Sequence, residues 1–353
     1  MLLFTLMKEM LDMLKKARFM IGRILKMDYK SLFETSKKVS EITGKNRLLV
    51  FFDIVYCGLK YKAGYKDYLA FRFYELNASQ RDTYITRGRN FEYVTSLNEK
   101  DARELLSNKA LFLEKFDELS HRKWLFVDKN DFEGFKSFYL SVDEFIAKPI
   151  HQLSGVGIEF FKTDENDLVE MFEKFTEDDE YVLEEIIKQH PKMSALNPSS
   201  VNTIRVVSLR VGDQVEFPFI GIRMGNGSRL DNFNRGGIIA RVNIEKGILQ
   251  TDGVSQDGTV YKRHPATNTE FKGFEIPFYQ EAIEMVKWAA VRLPGIGYVG
   301  WDIAISEEGP LVIEANDFPS HDLLQFPELL DDDRIGLRPV FDGLIDKMKR
   351  GGK

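Results

Sequence analysis

The segment from residue 300 to residue 316 constrains the fold most, because it reads as two apolar strands that carry three oxygen-bearing side chains. Residues 301–305 and 310–315 are apolar and β-branched enough for strands, and residues 306–309 are turn formers. A three-residue loop that ends on Gly309 suits a type I turn closed by a left-handed residue. We therefore predict a hairpin whose pairing is centred on residue 308.

The register of this hairpin brings three polar side chains together. Positions equidistant from residue 308 face each other, so Asp302 lies opposite Glu314. Because strand side chains alternate between two faces, Asn316 shares the face of Glu314. Carboxylates that meet in an apolar setting need a cation, and oxygen-only ligands favour Mg²⁺ before Ca²⁺ or Mn²⁺. The alternative is a surface hairpin whose acids are solvated.

Composition predicts a globular protein of two or three domains or subdomains. Of its 353 residues, 43% are apolar and 29% are charged, and the net charge of −6 argues against a nucleic-acid partner. Cys57 is the single cysteine, which excludes an internal disulfide framework and fits a reducing cytoplasm. No apolar run has the length of a membrane span, and residues 1–7 lack the order of a secretory signal. We expect a cytoplasmic location.

Residues 1–26 follow a helical apolar pattern with alternating spacings of three and four. Six basic residues against two acidic ones make this predicted helix positive. It can pack on the body of the protein, pair with another copy, or lie on an anionic membrane at the inner face, and the sequence leaves these alternatives open.

The rest of the chain mixes short apolar runs with helical patterns and shows no regular βαβ series, dinucleotide fingerprint or Walker-type loop. This order is typical of an α+β fold. Gly44 ends one predicted helix, and Asn98 offers an N-cap for another. Helices are predicted over 30–43, 98–119, 165–176, 277–292 and 336–350, strands over 123–127, 144–149, 157–161, 181–187, 201–223, 236–243 and 247–251, and either a strand or a buried helix over 47–56.

A lysine and two glycines mark a candidate phosphate-binding loop. Lys148 lies near the end of the apolar strand 145–149, and Ser154, Gly155 and Gly157 follow after a short gap. Two glycines separated by one residue allow close backbone approach, so N–H groups can cover phosphates while the lysine supplies a point charge. An ordinary hairpin is the alternative.

Two further strands carry charges in apolar surroundings. Glu184 and Glu185 are adjacent in the strand 181–187, so they point to opposite faces and at most one enters a site. Arg205 lies within the β-branched run 201–210, where an unpaired guanidinium is costly. We expect Arg205 to meet an anion, either a carboxylate of the protein or a phosphate.

The loop 231–237 enters a strand through two glycines. Asn232, Asn234 and Arg235 can contact an anionic ligand while the glycines let the backbone approach. A solvated turn is the alternative.

The order of these pieces resembles the ATP-grasp superfamily, and within it the sugar-transfer-associated ATP-grasp proteins of bacterial polysaccharide gene clusters. The superfamily pattern consists of Lys109, Lys148-Pro149, the loop 154–157, the strand 183–187, Arg205, and Asp302 with Glu314-x-Asn316. The narrower match rests on NPSSVNTIRVVSLR, DNFNRGGIIARV, GYVGWDIAI and GPLVIEAN, with YKDYLAFRFYEL and RDTYITRGRN upstream.

The resemblance implies a role for each matching residue. Lys109 and Lys148 match the lysines that bind the nucleotide phosphates. Arg205 lies where a basic residue approaches the γ-phosphate or an acyl phosphate, and we expect Arg205 and Arg235 to be catalytic. The ribose-binding acid has no clear counterpart, since Gln189 or His190 occupies its neighbourhood. The other implied roles are a phosphate-covering loop for Ser154, Gly155 and Gly157, an adenine hinge for Glu184, Glu185 and Ile187, and magnesium binding for Asp302, Glu314 and Asn316.

The resemblance also implies an ATP-grasp fold, in which two α+β subdomains clamp ATP behind a helical and mixed N-terminal region. We expect an amphipathic helix over 1–28, a mixed region over 29–103, a lid subdomain over 104–187 and a metal and substrate subdomain over 188–350.

The implied activity is an ADP-forming ligation of a carboxylate to an amine, or to a thiol, through an acyl phosphate. It uses ATP and Mg²⁺, with Mn²⁺ as an alternative metal. A sugar acid or an amino acid is the expected substrate, in the making or modification of bacterial cell-surface polysaccharide. A kinase of a sugar or polyol hydroxyl and a non-catalytic ATP-binding scaffold stay open as alternatives.

Deleting residues 1–26 is expected to leave ATP affinity within a few-fold of the full chain, because this segment lies far in sequence from every chemical motif. Titration calorimetry of both proteins with ATP and Mg²⁺ checks this expectation. A truncated chain that keeps its circular-dichroism spectrum yet binds no ATP would contradict it.

Overall fold

The computed structural model describes residues 28–150, 156–164, 166–177, 180–227, 229, 231, 233 and 236–351. The helix predicted over 1–28, apart from Asp28, and the site candidates Ser154, Gly155 and Arg235 lie outside the described residues. The chain forms two compact units, residues 1–89 and 90–353, and the subdomain boundaries expected from the sequence stay predictions. No helix in the described ranges is both long and apolar enough to cross a bilayer.

The described part of the first unit is helical. Helix α1 (Tyr29–Thr43) begins behind Asp28, whose carboxylate accepts a hydrogen bond from the Ser31 N–H at 3.1 Å, and ends at Gly44, whose φ is 68°. The helix predicted over 30–43 is therefore confirmed. Residues 47–56, for which the sequence allows a strand or a helix, belong to α2 (Arg47–Lys60). The remaining helices are α3 (Tyr65–Ala70), a 3₁₀ turn (Phe73–Glu75), α4 (Ala78–Asp82) and α5 (Arg87–Leu97), which continues into the second unit.

The single helix predicted over 98–119 is wrong. Three short helices follow a 3₁₀ turn there, and Asn98 does not cap them. Its buried amide donates to the carbonyl oxygens of Tyr298 and Asp317 at 2.8 and 2.9 Å, and its Oδ1 accepts from the N–H groups of Gly297 and Tyr298 at 3.0 and 2.8 Å. Tertiary hydrogen bonds thus replace the local cap. The helices are α6 (Glu104–Ser107), α7 (Lys109–Lys115) and α8 (Asp117–Ser120).

The smaller sheet of the second unit has four antiparallel strands. They are β1 (Trp124–Phe126), β2 (Glu144–Pro149), β3 (Glu159–Lys162) and β4 (Tyr181–Glu185), with helices α9 (Phe132–Tyr139) and α10 (Leu168–Glu177) between them in the chain. Their spatial order is β1-β4-β2-β3. Phe135, Phe145 and Phe175 fill the aromatic core of this sheet and its helices, and Phe145 stacks on Phe161 with ring centroids 5.4 Å apart. The predicted α+β pattern of this region is confirmed.

The larger sheet has eight strands, which pair antiparallel in the order β10-β9-β7-β6-β5-β11-β12, with β8 beside β7. Trp301 is fully buried in its core. The elements are α11 (Pro191–Ser194), β5 (Thr203–Val211), β6 (Gln214–Met224), β7 (Ile238–Asn243), β8 (Ile248–Leu249), β9 (Gly253–Ser255), β10 (Val260–Tyr261), α12 (Tyr279–Val291), β11 (Tyr298–Ile305), β12 (Pro310–Asn316), a 3₁₀ turn (Pro327–Leu329) and α13 (Arg338–Gly351).

The hairpin of β11 and β12 keeps the predicted pairing of Asp302 with Glu314. The predicted three-residue loop is wrong, because the Ser306 N–H donates to the Gly309 carbonyl at 2.8 Å and leaves only residues 307 and 308 at the tip. Pairing next to the tip is shifted accordingly, and a bulge between residues 302 and 303 compensates for the shift. The bulge therefore decides that Asp302 faces Glu314.

Replacing Asn98 with alanine is expected to lower the free energy of unfolding by about 2–4 kcal/mol, because its four hydrogen bonds to backbone groups, three of them buried, are lost. Urea unfolding followed by circular dichroism measures this loss. Ser96→Ala, at an exposed position of α5, is the matched control and should change stability by less than about 0.5 kcal/mol. Wild-type stability of Asn98→Ala would show that these hydrogen bonds do not secure the segment.

Candidate functional site

A cleft in the second unit is walled by both sheets. Strands β2, β3 and β4 supply one wall, and β5, β6, β11 and β12 supply the other. Residues that are far apart in sequence therefore meet across one space. Its charged and polar lining consists of Lys109, Lys148, Glu184, Glu185, Thr203, Arg223, Arg229, Asp231, Asp302, Glu314 and Asn316.

Lys148 and Arg122 share the carboxylate of Glu184. Lys148 Nζ lies 2.8 Å from Glu184 Oε1, while Arg122 Nε and Nη2 donate to Oε2 at 2.8 and 2.6 Å. Burial disfavours the charged form of Glu184, but the attraction of Arg122 and Lys148 outweighs it and lowers the pKa of Glu184 to about 2. Glu185 also lines the cleft and accepts from the Lys123 N–H at 3.2 Å, so the expectation that at most one of these two acids enters the site is wrong. One hinge acid is thus a buried anion that holds Lys148 at the cleft.

Arg122 also connects the two sheets, a role for which the sequence offers no signal. Its Nη1 donates to the Val312 carbonyl of β12 at 2.8 Å, in addition to the contact with Glu184 of β4. The side chains of Arg122 and Glu184 are both 3% exposed. This ion pair ties the hinge strand to the hairpin that carries the candidate metal ligands.

Lys109 is the first residue of α7, and its side chain reaches the end of β2. Its ammonium donates to the carbonyl oxygens of Pro149 and Ile150 at 3.0 and 3.3 Å. Burial lowers the pKa of Lys109, Lys148 acts in the same direction, and the opposite charge of Glu314 counteracts both. The structure therefore brings both predicted phosphate lysines to one cleft, within electrostatic reach of the hairpin acid.

Two arginines from neighbouring strands meet Asp302. Arg205 Nη2 and Arg223 Nη2 lie 3.1 and 3.0 Å from Asp302 Oδ2. The anion predicted for Arg205 is thus a carboxylate of the protein. Arg223 also lies 3.4 Å from Asp231, donates to Thr203 Oγ1 at 3.0 and 3.1 Å, and lines the cleft, whereas Arg205 is not among the lining residues.

Arg223 was not predicted as a site residue, although the sequence around it indicates a buried charge. It lies in the apolar run 219–224, and the argument applied to Arg205 holds equally for a guanidinium there. The β5–β6 register pairs it with Thr203, two residues from Arg205. Burial opposes its charge, but Asp231 and Asp302 outweigh burial and raise the pKa of Arg223. It therefore stays a cation in the wall of the cleft.

The hairpin acids lie on the far wall. Burial raises the pKa of Asp302 to about 7, with Arg205 and Arg223 opposing the rise and Glu314 adding to it. Burial acts on Glu314 too, but its hydrogen bond with Asp302 and the charges of Lys148 and the two arginines leave its pKa below the ordinary value. Asn316 Nδ2 lies 3.4 Å from Glu314 Oε1, on the predicted face. The two carboxyl groups therefore form a coupled pair in which Asp302 has the higher pKa.

A hard cation fits this donor set. Asp302 Oδ1 is buried and accepts no hydrogen bond from the described residues, since its 2.9 Å contact with Arg205 Nε is an ion pair without hydrogen-bond alignment. Two carboxylates and one amide oxygen are a smaller set than a full protein cage, and no group of three His, Cys, Asp or Glu residues with metal geometry occurs in the described ranges. Mg²⁺ commonly takes one or two protein carboxylates and completes its shell with substrate oxygens and water.

The remaining predicted residues divide into two groups. Gly157, with a φ of 71°, follows Val156, which lines the cleft, and Ile187 lines it beyond the hinge. Gln189 and His190 are not among the lining residues. The Gln189 amide donates to the carbonyls of Asn197 and Ser200 at 3.0 and 2.9 Å, and His190 Nδ1 accepts from the N–H of Lys192 at 3.0 Å. Both also contact the end of β11, since Gln189 pairs with Ser306 and the His190 N–H donates to the Ile305 carbonyl at 2.8 Å.

The family model described as "Sugar-transfer associated ATP-grasp" matches residues 88–330, which is more than half of the chain. The chain belongs to this ATP-grasp family. The matched range contains each described residue that lines the cleft. No curated protein sequence matches the chain.

Solved structures of ATP-grasp ligases are similar to this member of the family. The ligase PsnB complexed with a minimal precursor is 18% identical, with a TM-score of 0.43 over 71% of this chain and 63% of PsnB. D-alanyl-alanine synthetase A from Vibrio cholerae is 14% identical, with a TM-score of 0.44 over 71% and 68%. L-amino acid ligase from Bacillus licheniformis is 14% identical, with a TM-score of 0.37 over 61% and 41%. The chain thus spans less than two thirds of PsnB in this complex and less than half of the L-amino acid ligase.

The buried Glu184 should make the free energy of unfolding depend on pH. A carboxyl group whose folded pKa is lowered stabilises the fold fully above its unfolded pKa, and this contribution is lost as the pH falls through the folded pKa. The folded pKa of Glu184 is about 2 against an ordinary 4.5. We expect the stability difference between wild type and Glu184→Gln to be constant near neutral pH and to shrink as the pH falls from 4.5 towards 2.

Urea unfolding at a series of pH values measures that difference. Glu307→Gln, at the exposed hairpin tip, is the matched control and should follow the wild type throughout. A difference that is independent of pH across the acid range would contradict the ion pairs assigned to Glu184.

Proposed function

We propose that this chain binds ATP with Mg²⁺ in the cleft and uses it to join a carboxylate to an amine, releasing ADP and phosphate. The observation that carries the proposal is the meeting of Lys109 and Lys148 with Asp302, Glu314 and Asn316 across one cleft, in a chain of the ATP-grasp family. Cations on one wall suit the phosphates, and the oxygen ligands on the other would hold a metal that offsets phosphate charge.

The apolar part of the cleft suits the adenine. Ile146, Ile158, Ile187, Val201 and Ile313 line it next to the hinge. A flat heterocycle fits between such side chains, while backbone groups beside β4 supply its edge with hydrogen bonds. Val156 and Gly157, at the start of the described loop residues, lie in position for a loop that covers the phosphates.

The metal would be held by Asp302, Glu314 and Asn316. Mg²⁺ bound there would neutralise phosphate charge and orient the γ-phosphoryl group. Arg205 and Arg223 keep the Asp302 carboxylate in place, so this ligand is oriented before the nucleotide binds. A neutral amide as third ligand limits the negative charge that faces the triphosphate.

The side chains of this chain provide charge and orientation for the reaction. Lys148 is held by Glu184, and Arg223 by Asp231 and Asp302, so both cations meet the phosphoryl oxygens without reorganising. The substrate carboxylate attacks the γ-phosphorus and ADP leaves. The amine then attacks the acyl carbon, phosphate leaves, and the amine proton passes to solvent or a base. Closure of the cleft over both substrates would keep water from the acyl phosphate.

We assign the acceptor to the end of the cleft at Arg229 and Asp231, where Arg229 lies 3.6 Å from Glu144 and Asp231 lies 3.4 Å from Arg223. Arg229 and Asp231 line the cleft at the loop that follows β6 and offer one cationic and one anionic group. A substrate with a carboxylate and an ammonium or hydroxyl group matches this pair. A sugar acid or an amino acid, joined within polysaccharide assembly, is the substrate class that fits both these groups and the description of the family.

A mass-spectrometric screen of amino acids and sugar acids with ATP and Mg²⁺ tests the proposal. Formation of ADP, with a product whose mass is the sum of two substrates minus water, supports the ligase. A product that gains a phosphoryl group would instead identify a kinase. ATP binding without turnover over the whole panel would favour a scaffold.

Glu314→Gln is expected to lower turnover at least ~100-fold while the fold survives, because it keeps the side-chain volume but removes the metal-binding charge. The thermal shift on adding ATP with Mg²⁺ should shrink in parallel, since ligand binding stabilises the folded state by mass action. Glu307→Gln, on the same hairpin but exposed, is the matched control. Wild-type turnover of Glu314→Gln with the substrate from the screen would refute the metal site.

A further inference from the structure

The first compact unit carries the opposite charge from the rest of the chain. Residues 1–89 hold 18 Lys and Arg against 9 Asp and Glu, a net charge of +9. Residues 90–353 hold 31 against 46, a net charge of −15, so the overall −6 hides the separation. Such asymmetry within one chain is typical of a region that meets an anionic surface.

Helix α2 of this unit is apolar around most of its circumference. Val50, Ile54 and Cys57 are buried at helical spacing. A helix that is apolar on all sides is normally covered on all sides as well, by the protein core or by a membrane. Five residues on the outward face are each 42% to 70% exposed. We name this face the α2 stripe, and it consists of Leu48, Leu49, Phe52, Tyr56 and Leu59.

The charges of α2 are arranged to leave the stripe apolar and its ends basic. Asp53 is the only acid of the helix, and both of its oxygens pair with Arg81 at 2.7 Å, so its charge is neutralised within the unit. Arg47 begins the helix and Lys60 ends it. The Lys60 ammonium lies 2.8 Å from the Tyr56 hydroxyl. An apolar stripe with a cation at each end matches the boundary between acyl chains and anionic headgroups.

We propose that the α2 stripe docks this chain on an anionic lipid bilayer. The leucines and Phe52 enter the acyl boundary, Tyr56 lies at headgroup level, and Arg47 and Lys60 contact lipid phosphates. At about 1.5 Å per residue, the 14 residues of α2 are too short to span the roughly 30 Å hydrocarbon core, so the helix lies along the surface.

Two other occupants fit the same observations less well. A second copy docked through the stripe would place two units of net charge +9 face to face, because a two-fold interface joins identical surfaces. A nucleic acid would match the charge but not the exposed leucines, since phosphate contacts use polar donors. Lipid is the partner that satisfies both the charge and the apolar face.

Co-sedimentation of the full chain with vesicles tests the proposal. Binding is expected to phosphatidylcholine vesicles with about 30% phosphatidylglycerol, at least ~10-fold weaker to phosphatidylcholine alone, and weaker as salt rises. The double variant Leu49→Glu, Phe52→Glu should lose at least ~10-fold in partitioning, with an unchanged circular-dichroism spectrum because both side chains are exposed.

Leu140→Glu is the matched control. Leu140 is 72% exposed in the acidic second unit, and its variant should bind vesicles like the wild type. Unchanged partitioning of the double variant would overturn the proposal, and so would vesicle binding that is lost only on deletion of residues 1–26. Sedimentation velocity showing that the double variant abolishes self-association instead, or binding of a duplex oligonucleotide without binding of vesicles, would also overturn it.

Discussion

The buried carboxylate of Asp302, paired with two arginines, is the constraint on which the larger sheet depends. With 1% of its surface exposed, Asp302 is tolerable as an anion only beside cations, and removing one partner of such a group typically costs about 3–5 kcal/mol. Arg205 is its cross-strand partner on β5, and Arg223 reaches it from β6. A shift of one residue between these strands would turn a charge into the apolar core, so the ion pairs and the register enforce each other.

A second buried anion, Glu184, organises the other wall of the cleft. It holds Lys148 on β2, and through Arg122 it is tied to the backbone of β12. The candidate phosphate lysine and the candidate metal hairpin are therefore oriented by one network before any ligand binds. Catalysis at a phosphoryl-transfer site depends mainly on preorganised charge of this kind, because the groups need no reorientation as the transition state forms.

The sequence reasoning succeeded where a local rule was sufficient. Strand alternation predicted that Asn316 shares the face of Glu314, and the cost of a buried guanidinium predicted that Arg205 meets an anion. The predicted pairing of Asp302 with Glu314 is also present, but a bulge that the sequence did not predict produces it. The sequence reasoning failed at Asn98, whose amide is used by β11 rather than by the following helix, because tertiary hydrogen bonds outweighed a local cap. Arg122 was missed for a related reason: both of its partners lie far away in the chain.

By itself the sequence determined the α+β composition, and its resemblance to the ATP-grasp proteins indicated the family and the expected roles of the site residues. The composition follows from periodicity and residue chemistry, which act within a few residues, whereas the family was indicated by the resemblance of several motifs along the chain. Only the tertiary structure decided which cations neutralise Asp302 and Glu184, that Arg223 rather than Arg205 lines the cleft, and that α2 leaves an apolar face exposed. The physical reason is that partner choice in a buried site depends on sheet order and strand register, and these are set by packing between segments up to two hundred residues apart.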